Sequence, residues 1–297
     1  MGTLTGHLLP GAAFTLLGLW HLVNTAASYR LSGPSTFSSR TWFPSPFIKH
    51  LELLLLLLLS LLSSTLLLFL SSSSSPSDLE HASMFLHLFI YSSAALAADL
   101  LPSPSSSTIV GALAASAFAQ ELLLLHFHSI DHSGLEGHYH SLMEIVVATC
   151  LVSTVATVWI PASYVAAVVR SAAVALQGMW FVCMGLVLWG PERLLPAGCA
   201  VNERAVVCAG GGAAASAAAA ANVQFSWMVA GVAAITAAIC LVPEGKEVEY
   251  RKLGNVGRNP GESDGGSGVK MGQASCLICL EKGAADERES AIKGSWK

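Results

Sequence analysis

Between Gln120 and Glu144 the chain carries an unusual density of residues that can hold a metal ion or move a proton. It reads Gln120-Glu121, four leucines, His126-Phe127-His128, then Asp131-His132, Glu136, His138-Tyr139-His140 and Glu144. The whole chain has 10 histidines, and five of them fall in this one junction between apolar runs. Imidazole in its neutral form ligates first-row transition metals, and a carboxylate beside it balances the charge, so the set points to zinc-type chemistry. An unperturbed histidine also titrates near about pH 6.5, which makes proton sensing or transfer a second reading. Ligation of haem by histidine pairs across helices is a third. A fourth treats these histidines as interfacial residues that hydrogen-bond backbone and lipid headgroups. Neither His-Glu-x-x-His nor a cysteine knuckle occurs in the set, so no fixed motif selects among these readings.

The candidate metal ligands are His7, His81, His126, His128, His138, His140, Glu121 and Glu144. His140 and Glu144 are four residues apart and share a helix face. The fourth span is expected to fray near His128, and a short loop is expected to lead from there to the start of the fifth span at His140. His7 and His81 begin other spans at the same surface. His87 and Gln177 lie deeper in their apolar runs, where lipid offers a polar group no partner, so both are expected to face the bundle interior. Trp180 is expected to pack beside Gln177. Arg170 lies within two turns of a span end and is expected to snorkel, and His21 is expected to be interfacial.

These residues depend on elements that composition defines. Of 297 residues, 11% are charged and 53% hydrophobic, and the mean hydropathy is +0.60; a soluble domain carries roughly 25% charged residues. Lipid is the solvent that suits such a chain. A net charge of -4, with no stripe of basic and aromatic residues, argues against nucleic-acid binding. Apolar runs at about residues 7–27, 51–70, 81–100, 108–125, 142–160, 164–188 and 223–242 each have the length needed to cross a hydrocarbon core of roughly 30 Å. The fold class is therefore an all-α membrane protein, a bundle of about seven transmembrane helices with a disordered C-terminal tail. The domains are residues 1–243, the seven-helix transmembrane domain, and 244–297, a flexible cytoplasmic tail. The first run lacks a positive charge before it and reads as a retained helix, not a cleaved signal.

With seven spans, Arg30, Arg40, Lys49, Arg170, Lys246, Arg251, Lys252 and Arg258 fall on one side, which the positive-inside bias makes cytoplasmic. The N-terminus and the histidine junction then face the lumen or exterior, in the plasma membrane or an endomembrane. A disulfide between Cys199 and Cys208 is one reading of their loop, and Cys150, Cys183 and Cys240 read as packing residues. In the tail, Cys276 and Cys279 resemble the opening of a zinc finger whose other ligands never follow, so acylation or no role is the expectation there. The tail can also offer a site for protein partners.

Gly6-His7 with Leu9-Pro10-Gly11, Gly18 and Trp20; Glu80-His81 with Met84; Glu121 with His126 and His128; His138, His140 and Ser141-Leu142; and Leu176-Gln177-Gly178 with Trp180 together resemble the transmembrane protein 45 family, in its plant form. The resemblance runs over about residues 6–242. It departs in the polyleucine second span, the Ala/Gly tract before the last span and the Cys-x-x-Cys tail. It implies a multi-pass integral membrane protein with no established activity, some plant members being associated with responses to viral infection. The remaining functional expectations are a metal-binding or pH-responsive membrane protein, a metal-dependent hydrolase or haem redox protein, and a non-catalytic scaffold.

Overall fold

The computed structural model describes residues 3–70, 76–131, 134–202 and 205–241. The Cys276/Cys279 pair, the tail and His132 lie outside the described residues. Seven helices among them are long and apolar enough to cross a membrane. In chain order they are α1 (Leu4–Ser32), α2 (Leu51–Thr65), α3 (Pro76–Leu100), α4 (Ser106–Asp131), α5 (Leu135–Trp159), α6 (Tyr164–Trp189) and α7 (Gly210–Cys240), and a π-helical turn, Leu66–Leu70, extends α2. Leu58, Phe69, Trp159 and Trp227 are among the large apolar side chains left exposed on the outside. On an integral membrane protein that is the lipid-facing surface, where apolar exposure carries no penalty.

Local chemistry sets several helix ends. Thr3 caps α1 by accepting from the Gly6 N–H at 3.1 Å, and Ser163 caps α6 by accepting from Ala166 at 3.2 Å, each satisfying an orphan donor of the first turn. Pro161 follows α5 and stops it. Several helices, α1 and α3 among them, are longer than the apolar runs suggest. α4 continues through His126-Phe127-His128 to Asp131, α5 begins at Leu135 instead of 142, and α7 takes up the Ala/Gly tract from Gly210. None of these last three segments contains a proline, and the alanines of α7 are the best helix formers, so each helix continues past its apolar run. Gly134, at φ +83°, occupies the left-handed region that lets the chain reverse between α4 and α5.

α1 and α6 run antiparallel in close contact. Phe181 and Trp189 flank His7 at one end of this pair, and Tyr29 stacks on Tyr164 at the other, 3.9 Å between centroids. Gly11 and Gly18 on α1 and Gly178 and Gly185 on α6 form the seam. A Cβ on Gly18 would lie 2.2 Å from the Ala175 nitrogen, and one on Gly178 would lie 2.2 Å from the Thr15 nitrogen. Lipid tails are as apolar as leucine, so such backbone approach and its dispersion contacts hold membrane helices together. A second apolar cluster joins α5, α6 and α7 around Tyr139, Met143, Val147, Trp180, Met184 and Ala221. Trp180 stacks on Tyr139 and donates to its carbonyl at 3.0 Å.

Between α6 and α7 lies a structure that an all-helical reading does not contain. Strands β1 (Cys199–Asn202) and β2 (Ala205–Cys208) pair antiparallel with Cys199 opposite Cys208, and a disulfide joins those two residues.

The opposite end of the bundle holds a polar lock on the α1–α2 connection. Glu52 is buried; its carboxylate accepts from Trp20 Nε1 at 3.0 Å, the Phe43 N–H at 3.0 Å and His21 Nε2 at 2.8 Å. Arg170 does not snorkel. It is buried and donates to Thr157 Oγ1 at 3.0 Å and to the Arg40 carbonyl. Tyr91 donates to the Thr41 carbonyl at 2.8 Å, and the Ser39 N–H to the Pro161 carbonyl at 2.8 Å. Irregular backbone at this depth is tolerated because protein groups satisfy it. His21, half-buried, is correspondingly a partner of Glu52.

Candidate metal centre

At the end of the bundle formed by the α4–α5 turn, one donor atom each of His128, Glu136 and His140 lie within 4.8 Å of one another. His128 comes from the last turn of α4, and Glu136 and His140 come from the first turns of α5. Glu136 and His140 are four residues apart, so once α5 begins at Leu135 they lie on one helix face. The antiparallel turn at Gly134 then brings His128 against them. The His128 and His140 rings meet edge to face, with centroids 4.9 Å apart. His140 Nδ1 is 2.8 Å from the Glu136 carbonyl. A carbonyl only accepts, so Nδ1 carries the proton and Nε2 of the neutral ring keeps its lone pair. His140 is buried, while His128 and Glu136 are half-buried.

The α3 residues Glu80 and His81 lie beside this group. Glu80 Oε2 is 3.8 Å from His128 Nδ1, and the His81 ring stands edge-on to His128 at 6.3 Å.

The other residues of the sequence-derived set go elsewhere. His126 Nδ1 meets Glu144 Oε2 at 3.1 Å, and the Ser129 hydroxyl donates to the other oxygen of Glu144. Here the carboxylate sits between serine and histidine, so the histidine cannot take a proton from the hydroxyl as in a nucleophilic triad. His138 Nε2 faces Asn222 Oδ1 at 2.9 Å. His7 stacks on Trp189 with centroids 4.3 Å apart and donates from Nδ1 to the Thr3 carbonyl at 2.9 Å. Glu121 points inward and accepts from Gln177 Nε2 at 2.6 Å; Gln177 in turn accepts from the Cys150 thiol at 3.4 Å. His87 lies between α3 and α4, bonded to Gln120 Oε1 at 2.5 Å and Ser116 Oγ at 2.8 Å.

Glu136 and Glu80 were absent from the candidate set. The i, i+4 spacing of Glu136 and His140 was the available signal for the first, concealed by the later expected start of α5. Nothing in the sequence pairs Glu80 with His128.

Residues 107–241 match the model of a family of unknown function, DUF716. The DUF716 match takes in the whole donor group, His128, Glu136 and His140, together with Glu121 and Gln177, and leaves Glu80, His81 and His7 outside it. No curated protein matches the chain.

Proposed function

We propose that this multi-pass membrane protein binds a first-row transition metal of the zinc class through His128, Glu136 and His140. The observation that carries the reading is the convergence of two imidazoles and one carboxylate, from two helices, within 4.8 Å. Nitrogen and oxygen donors sit about 2.0–2.2 Å from zinc, so tetrahedral ligands are about 3.4 Å apart, a distance that small side-chain rotations reach from here. Two neutral imidazoles and a carboxylate leave one net positive charge on a divalent ion, which suits this wet end of a bundle better than its interior.

The site faces the lumen or exterior in this reading. Arg30, Arg40 and Lys49 stand at the opposite end of the helices, as the positive-inside bias requires of a cytoplasmic face. The Cys199–Cys208 disulfide, at the same end as the donor group, fits an oxidising compartment. The transmembrane protein 45 resemblance belongs to the same reading, since it extends the likeness from the DUF716 match back through His7 and Glu80-His81.

Two rings meeting edge to face at 4.9 Å leave no slot for a macrocycle, which favours a bare ion over haem. Two histidines and a carboxylate also form the donor set of several zinc hydrolases, in which the fourth position holds water. That favours a chelator-sensitive lipid hydrolase as the second reading.

Elemental analysis and an absorption spectrum of detergent-purified protein test the proposal. One equivalent of metal per chain is expected, retained in His126→Ala and lost in His128→Ala/His140→Ala. Protein that takes up no metal even after incubation with zinc overturns the reading and turns attention to proton sensing or a scaffold role.

A further inference from the structure

Glu80 adjoins the donor group without being part of it. It comes from the second turn of α3, whereas the three donors come from α4 and α5. Its Oε2 lies 3.8 Å from Nδ1 of His128, roughly 0.9 Å beyond a normal N–H···O hydrogen bond. His140 shows the same arrangement already closed, with Nδ1 held at 2.8 Å by the Glu136 carbonyl. A histidine that ligates a metal commonly donates its other ring N–H to a carboxylate or carbonyl, which fixes the tautomer and makes the ligating nitrogen more basic. Resting on the metal reading above, we propose that Glu80 is the positioning residue that performs this service for His128.

The chemistry supports this assignment in two ways. With His128 ligating through Nε2, the cation polarises its Nδ1–H toward Glu80, so occupancy strengthens the contact and closes the gap. A divalent ion with one ligating carboxylate, that of Glu136, keeps one net positive charge, and the Glu80 carboxylate neutralises it from the adjoining shell. The consequence is structural. A site whose ligands lie on α4 and α5 becomes tied to the beginning of α3, and metal occupancy fastens that turn to the other two helices. His81, the next residue on α3, packs edge-on against the same ring and helps to hold it in that orientation.

The test is a zinc titration of the full chain in detergent, with a competing chelator indicator. Glu80→Ala is expected to bind zinc on the order of 100-fold more weakly than the intact chain, and Glu80→Gln, which keeps an acceptor oxygen but loses the charge, about 10-fold more weakly. Stoichiometry should stay at one ion in both. Zinc should also slow amide hydrogen exchange over residues 78–86 in the intact chain but not in Glu80→Ala, an effect that a packing role alone does not produce. Unaltered zinc affinity in the Glu80→Gln and Glu80→Ala proteins overturns this inference and leaves the metal reading standing. An intact chain that takes up no zinc overturns both.

Discussion

Gly178→Ala is expected to destabilise the protein by about 3 kcal/mol, a cost at the upper end for adding one methyl group to a packed interface. The new Cβ would lie 2.2 Å from the Thr15 nitrogen and 2.5 Å from the Gly11 carbonyl oxygen. Both are backbone atoms of α1, so no rotamer change relieves the clash and the two helices must separate. Separation also loosens the contacts at Gly18 and Gly185 along the same seam, forfeiting dispersion contacts that lipid does not replace in kind. Gly231→Ala supplies the control, since a Cβ there meets nothing within 4 Å. It should be neutral or slightly stabilising, because alanine is the better helix former. Thermal unfolding in detergent measures both, and equal effects of the two substitutions would show that the seam is not where the bundle is tight.

Glu52→Leu should cost on the order of 4 kcal/mol, because it strands three donors at once and each buried unsatisfied group costs about 1–3 kcal/mol. Trp20 Nε1, the Phe43 N–H and His21 Nε2 would all lose their acceptor, and Phe43 belongs to the irregular connection that Arg170 and Tyr91 also hold. Leucine matches the surrounding run in polarity, so a merely lipid-facing position would accept it readily. Glu52→Gln separates hydrogen bonding from charge. Its one oxygen can serve Trp20 and Phe43, and its amide can donate to a neutral His21, so it should cost far less than leucine. A loss as large as that of Glu52→Leu would mean that the negative charge itself holds His21. Unfolding in detergent, with proteolysis of the connection over residues 33–50, reports the outcome.

Apolar composition and run length were enough to give the membrane class and the number of helices, because a chain with few charges and runs of this length has few alternatives in water or lipid. They gave the helix ends poorly. An apolar run bounds the hydropathy of a segment, not its helix, and α4, α5 and α7 continue past the runs that mark them. That difference decided the candidate site. Read as a loop, the residues between His128 and His140 scatter their side chains, Glu136 among them; read as helix, turn and helix, they set Glu136 and His140 on one face opposite His128.

Amino-acid order alone established which residue types were present for metal or proton chemistry, that they gathered near one junction, and that His87 and Gln177 needed interior partners. The packed bundle settled which of them met. It sent His126 to Glu144, His138 to Asn222, His7 to Trp189 and Glu121 to Gln177, and it brought Glu80 across from α3. It also buried Arg170 instead of leaving it to snorkel. The reason is common to all these cases. Polarity and spacing along one helix fix which groups must find partners and which face they share, whereas the partner's identity depends on how helices far apart in sequence are packed and rotated against one another.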